Sequence, residues 1–174
     1  EIRLSLVGSE MCIRDSYMMK AIEIAKGKIR GNEYPFGCCI VYQDTVILES
    51  NSCFTSRNPL NHAEMNAMNQ LINLYGEAAL KKSVLYATTE PCLMCLGAIN
   101  WAHVPRVVYG TSIAESSRLG FDEIDISIDD VLPKMHYSLE VKGGVLHEEC
   151  MNLLAEWHKR NEMIKRLFKI RNEN

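Results

Sequence analysis

Apolar residues recur along this chain with two distinct periods, and each change of period marks the end of an element. From Asp15 or Ser16, either of them a fitting N-cap, Met18, Ile22, Ala25 and Ile29 follow helical spacing until Gly31-Asn32, which predicts an amphipathic helix with a stop signal. Residues 36–42 are short, apolar and β-favouring, and with Gln43-Asp44 and a second such run at 45–49 they predict a hairpin. Polar and turn-forming residues fill 50–61. Helical spacing returns over 61–75, with Ala67, Met68, Leu71, Ile72 and Tyr75 on one face and Gly76 as terminator. A strand over 83–88, a helix over 92–102 and a strand over 106–110 follow. Beyond them come an acidic connection over 114–130, a strand over 136–142, a Gly143-Gly144 turn and a long helix over 147–170. Strands joined first by a hairpin and then by helical crossovers predict an α/β sheet with helices on its faces.

Residues 1–16 break this pattern, with no sustained period and with Cys12 in a polar context. The run resembles a translated adaptor peptide, and the expectation is a non-native or disordered leader ahead of one domain at 17–174.

Composition narrows the function. The chain has 174 residues, 47% of them apolar, and 19 Lys+Arg against 22 Asp+Glu. That is too apolar for intrinsic disorder and long enough for one core without disulfide staples. A net charge of -3 argues against a surface that clamps polyanions and in favour of small substrates. No apolar run approaches the ~18 residues of a membrane span, and the N-terminus lacks a signal-peptide layout, so a reducing cytoplasm is expected. Seven cysteines, an odd number without regular spacing, point to a metal or a reactive thiol.

Two segments carry the chemistry, His62-Ala63-Glu64 and Pro91-Cys92-Leu93-Met94-Cys95, each at a predicted helix start. Zinc takes imidazole and thiolate readily, and three protein ligands with an open fourth position make a reactive site. His62, Cys92 and Cys95 supply that number. Cys92 and Cys95, three apart, share one face of a first turn, and two helix N-termini aimed at the ion favour the thiolates. Neutral His62 and two thiolates balance Zn²⁺, whose water then has a pKa near neutrality. Glu64, not needed as a ligand, is free to move a proton from water to a ring nitrogen and then to a leaving amine, which is hydrolytic deamination. Taken singly, Cys-x-x-Cys is also a structural knuckle or a redox pair, and Glu64 also fits a capping box with Asn61. Taken together, His-x-Glu followed about 30 residues later by Pro-Cys-x-x-Cys is the zinc deaminase signature.

On these motifs the chain resembles the cytidine and deoxycytidylate deaminase superfamily, from about Tyr17 to the C-terminal helix. The resemblance implies a three-layer α/β/α fold with a central five-stranded mixed sheet, one zinc per subunit and a homodimer. It also implies His62, Cys92 and Cys95 as ligands, Glu64 as proton shuttle, and Asn51 and Ala63 as substrate contacts. Asn51 reads equally as a turn residue after a strand.

Within the superfamily, residues 92–102 and 119–123 are most similar to guanine and nucleoside deaminases. Guanine presents N1–H and a 2-amino group, which an acceptor-only carboxylate matches bidentately. Glu123 is the matching position, Asp122 the fallback, and guanine deaminases carry Asp where Glu123 stands. A solvated acidic loop is the plainer reading of both. Trp101 fits either stacking on a base or a core position. A purine base or nucleoside, most of all guanine or guanosine, is the expected substrate.

Residues 143–150 and the basic face of the last helix (Lys159, Lys165, Arg166, Lys169, opposite Leu153, Trp157, Ile164, Leu167 and Phe168) also resemble tRNA adenosine deaminases. That makes A-to-I action on tRNA the alternative, with cytosine or cytidine a further one. A non-catalytic zinc module is a reading of another class. It requires a fourth protein ligand, such as Cys53 or another histidine.

Overall fold

The computed structural model describes the backbone of residues 2–29 and 33–172, and side chains over 12–29 and 33–163. Helix α1 (Ile2–Ile29) is followed by strands β1 (Gly37–Tyr42) and β2 (Thr45–Ser50), a short helix α2 (Cys53–Ser56) and helix α3 (Ala63–Tyr75). A 3-10 turn at Glu77–Lys82 leads into β3 (Val84–Thr89), α4 (Leu93–Ala102) and β4 (Arg106–Thr111). Two short helices, α5 (Ile113–Arg118) and α6 (Ile128–Val131), then β5 (Glu140–Lys142) and α7 (His147–Asn172) complete the chain.

The sheet order is β2-β1-β3-β4-β5, with β1 antiparallel to both neighbours and β3, β4 and β5 parallel, so it is mixed as expected. Alternation of side chains along each strand assigns the two faces. Cys38, Ile40, Leu85, Ala87 and Val107 pack against Ala67, Met68 and Leu71 of α3 and Leu96 and Ile99 of α4. Their neighbours Cys39, Tyr86 and Val108 point the other way, onto Met18, Ala21 and Ile22 of α1 and Cys150 of α7. The result is three layers: α1 and α7, the sheet, then α3 and α4. Gly37 lets α1 lie directly on β1, because a Cβ there would stand 2.1 Å from the Ala21 carbonyl oxygen.

Leu71 is fully buried in the α3 layer. Leu71→Ala is expected to destabilise the fold by about 2–5 kcal/mol through lost transfer energy and the cavity left behind, read as a fall in urea midpoint.

Three differences from the sequence reading have physical causes. Helix α1 starts at Ile2 rather than at Asp15 or Ser16, because residues 2–16 contain no proline and several strong helix formers. Met18 is the first buried side chain among the described residues, and Tyr17 stacks on Tyr86 at 5.3 Å, so contact with the sheet begins there. The Gly31-Asn32 stop lies outside the described residues. Strand β5 is shorter than 136–142 because the Tyr137 hydroxyl donates to the carbonyls of Ile99 and Val104, drawing the chain over the end of α4 before it pairs. The acidic connection contains α5 and α6, each opened by a capping box, Ser112 with Glu115 and Ser127 with Asp130. No helix among the described residues is long and apolar enough to cross a membrane.

Candidate metal centre and adjoining cavity

His62 is the N-cap of α3 and Cys92 the N-cap of α4, both with extended backbone, ψ 157° and 165°. Cys92 follows the end of β3, so the site lies beyond the carboxyl ends of the parallel strands, where open α/β sheets leave a crevice. His62 Nδ1 is 3.5 Å from Cys92 Sγ and 3.6 Å from Cys95 Sγ, and the three ligand atoms all lie within 4.8 Å of one another. This is the one such three-ligand group of His, Cys, Asp or Glu among the described residues. One imidazole and two thiols at that separation fit a zinc ion. Cys53, offered above as a fourth ligand, instead directs its thiol to Asn51 Oδ1 and the Pro59 carbonyl. His147 pairs with Glu115 and His103 contacts the Trp101 carbonyl. Among the described residues three protein ligands therefore converge, and Cys53 is not one of them.

Glu64, in the first turn of α3, is 7% exposed, with Oε2 3.6 Å from Cys95 Sγ. Burial, reinforced by Cys92, raises its pKa to about 7. The hydrogen bond from Cys95, outweighing burial, lowers Cys92 to about 4, and the same bond with burial pushes Cys95 up. Hydrogen bonding to Cys92 raises His62. Metal binding displaces protons from such a cluster. The core cysteines differ: burial drives Cys39 and Cys150 up to about 12, which makes them inert thiols. All seven cysteines are free.

A cavity of about 350 Å³ opens beside this cluster, with His62, Asn51, Cys53, Arg57, Asp122 and Glu123 among its lining. Phe36, His62 and Glu123 also line a narrower cleft that holds Glu64 and Cys92, so the cavity leads to the ligands. Glu123 is drawn into this inner cleft, and burial, then Cys92 and Glu64, raise its pKa to about 7. Asp122 is exposed and lines the outer cavity alone. The plainer reading of Glu123 as a solvated loop residue is thereby corrected.

Asn51 is 1% exposed. Its Nδ2 donates to Glu33 Oε2 at 3.4 Å, and its Oδ1 accepts from Cys53, which fixes the amide in the cavity wall. Ala63 and Trp101 do not line the cavity. The Ala63 methyl packs in the core beneath α3, which leaves only its backbone for substrate. Trp101 is 83% exposed near the end of α4, neither core nor cavity wall, because helical rotation carries it away from Cys92 and Cys95.

The sequence did not mark the aromatic wall. Tyr34, Phe36, Phe54 and Phe121 line the cavity, with centroids 4.9 Å apart for Tyr34–Phe54 and 5.2 Å for Phe36–Phe121. Trp157 of α7 stacks behind, 4.8 Å from Phe121, and its Nε1 donates to the Glu33 carbonyl at 2.8 Å. Glu33, fully buried, also accepts from the backbone amides of Phe54 and Thr55. Of the basic positions expected on α7, Lys159 is exposed, and Lys165, Arg166 and Lys169 have side chains outside the described residues.

Comparison with known proteins adds to this geometry. Residues 11–111 match the model of the cytidine and deoxycytidylate deaminase zinc-binding region. A tRNA-specific adenosine deaminase of Streptococcus pyogenes serotype M1 is 30% identical over 154 residues, covering 88% of each chain. The guanine deaminase of Nitrosomonas europaea superposes with a TM-score of 0.70 at 22% identity, over 83% of this chain and 84% of that one. The guanine deaminase of Bacillus subtilis is 32% identical with a TM-score of 0.59, over 62% of this chain and 70% of that one.

Proposed function

This chain belongs to the cytidine and deoxycytidylate deaminase family, zinc enzymes that hydrolyse C–N bonds, and from that premise we propose that it deaminates a purine, guanine or guanosine first. The observation that carries the substrate reading is Glu123: a carboxyl group in the inner cleft, beside His62, Glu64 and Cys92, that is acceptor-only once ionised above its pKa of about 7. Guanine offers it N1–H and the 2-amino group, and the aromatic wall offers faces for the flat ring.

His62, Cys92 and Cys95 would hold the zinc, whose Lewis acidity, when it is bound, activates water for attack. The water oxygen bonds to the ring carbon that bears the amine while Glu64 accepts a proton. Glu64 passes that proton to the adjacent ring nitrogen, and the second proton of the water, taken from the new hydroxyl, reaches the amine through Glu64 as the C–N bond breaks. Water and the aminopurine become an oxopurine and ammonia. Buried in the first turn of α3, Glu64 is close enough to the ligands to serve each transfer. Asn51, locked by Glu33 and Cys53, would contact the base or sugar edge.

The proposed unit is residues 17–174, working in a reducing cytoplasm where its six thiols stay free. As a homodimer, it would cover the exposed Trp101 with a second copy. A second reading, deamination of adenosine in tRNA, is favoured by the tRNA-specific relative, aligned along 88% of this chain.

Ammonia release from guanine, guanosine, adenine, adenosine, cytosine, cytidine and a tRNA anticodon stem-loop separates the readings. Guanine or guanosine is expected to be turned over. Glu123→Ala is then expected to cut kcat/KM by roughly ten- to a hundredfold, the worth of about 1.5–3 kcal/mol of hydrogen bonding to a charged group. Turnover of the stem-loop alone, with guanine and guanosine inert, would replace the first reading by the second.

A further inference from the structure

Glu90 connects β3 to the Pro91-Cys92 start of α4 and is 3% exposed. It makes no ion pair among the described residues. Its carboxylate instead takes two backbone amides far apart in sequence. Oε2 accepts from Ile113 N at 2.8 Å, at the start of α5, and Oε1 accepts from Ile128 N at 2.5 Å, at the start of α6. The Glu90 amide donates to the Thr111 carbonyl at 2.7 Å, which fixes the same junction from the main chain.

The segment between those two amides carries Phe121, Asp122 and Glu123 into the cavity. Its own ties are local: Glu123 N donates to the Phe121 carbonyl at 3.1 Å, Phe121 N to the Ser116 carbonyl at 3.3 Å, and Ser116 Oγ to Glu123 Oε2 at a long 3.5 Å, while the Phe121 ring packs on Phe36 and Trp157. One buried carboxylate therefore closes both ends of the loop, and the chain itself ties that carboxylate to the ligand Cys92 two residues on.

We propose that Glu90 is a positioning residue for substrate selection: by pinning Ile113 and Ile128 together it holds Phe121 and Glu123 at a fixed place relative to the metal ligands. A loop held in its binding conformation loses less freedom when substrate arrives, so the clamp acts on affinity before rate. This inference rests on the reading that Glu123 meets the substrate. A glutamate two residues from Cys92 also fits a purely structural brace for the metal loop, and the experiment separates the two roles.

Glu90→Gln preserves shape but leaves one acceptor oxygen; its amino group would face the second N–H donor to donor. Zinc content is expected to stay at the wild-type level. Amide hydrogen exchange across residues 113–128 should accelerate about tenfold or more as the segment opens locally. KM for the turned-over substrate should rise about tenfold while kcat changes less than about threefold. Unchanged exchange over 113–128 would overturn the clamp. Loss of zinc, with kcat falling and KM unaltered, would also overturn it and make Glu90 a brace of the metal loop. Should Glu90→Gln not fold, Glu90→Asp keeps both acceptors with a shorter reach, and exchange as slow as wild type there would count against the proposal. If the wild-type chain deaminates no purine, the substrate reading fails while the exchange measurement still decides the clamp.

Discussion

Glu64→Gln is expected to lower deaminase turnover by about 10²–10⁴-fold, the range over which a positioned acid–base group contributes, while zinc content stays at the wild-type level. Glutamine matches the shape of Glu64 in its buried first-turn position on α3 but can neither accept nor return a proton. The ligand atoms are those of His62, Cys92 and Cys95, and Glu64 Oε2 lies 3.6 Å from Cys95 Sγ as a neighbour of the cluster rather than a member. Metal analysis and ammonia release on the same sample check this. Turnover within a few-fold of wild type would remove Glu64 from the proton path, and loss of zinc would make it a ligand.

The second large effect is expected at the ligands. Cys92→Ala takes away one of the three converging atoms and should abolish both bound zinc and measurable turnover. Stability should fall with it, because an ion that binds only the folded chain stabilises that state. With free zinc about a thousandfold above Kd the contribution is about 4 kcal/mol. In Cys92→Ala the pair left is His62, the N-cap of α3, and the Cys95 thiol in the first turn of α4, with no ion to join them. Differential scanning calorimetry of wild type and Cys92→Ala, with zinc and with chelator, reads this. Wild type should gain a higher Tm from zinc and Cys92→Ala should not. A zinc-dependent Tm that survives in Cys92→Ala would place the metal elsewhere.

The metal site was legible because it is local. Cys92 and Cys95 sit within one helical turn, and His62 and Glu64 open another helix together, so residue type and spacing carry the geometry. The layers were legible for the same reason: a two-residue period puts Cys38 and Cys39 on opposite faces, and helical spacing buries Met18, Ile22, Ala25 and Ile29 together. What escaped is assembled from separated segments. The aromatic wall draws Tyr34, Phe54, Phe121 and Trp157 from four stretches of chain, and no period within one element relates them. Glu33 and Glu90 have partners about 20 and 23–38 residues away, so their acceptor roles left no local trace. Trp101 shows the converse: helical spacing suggested stacking or core, and the chain leaves it on the surface. Helices α5 and α6 did have a signal, Ser-x-x-Glu at Ser112 and Ser-x-x-Asp at Ser127, masked by the acidic composition around them.

Oxygen transfer from solvent tests the central claim most directly. The zinc-loaded chain is incubated with guanine or guanosine in water enriched in oxygen-18, and ammonia and product mass are measured together. Hydrolytic deamination at this site gives one ammonia for each oxopurine, with the heavy oxygen in the new carbonyl and no product when zinc is removed by a chelator. Zinc bound at His62, Cys92 and Cys95 with no ammonia released from any purine, pyrimidine or tRNA stem-loop would contradict it, and the centre would then be a binding module rather than an enzyme.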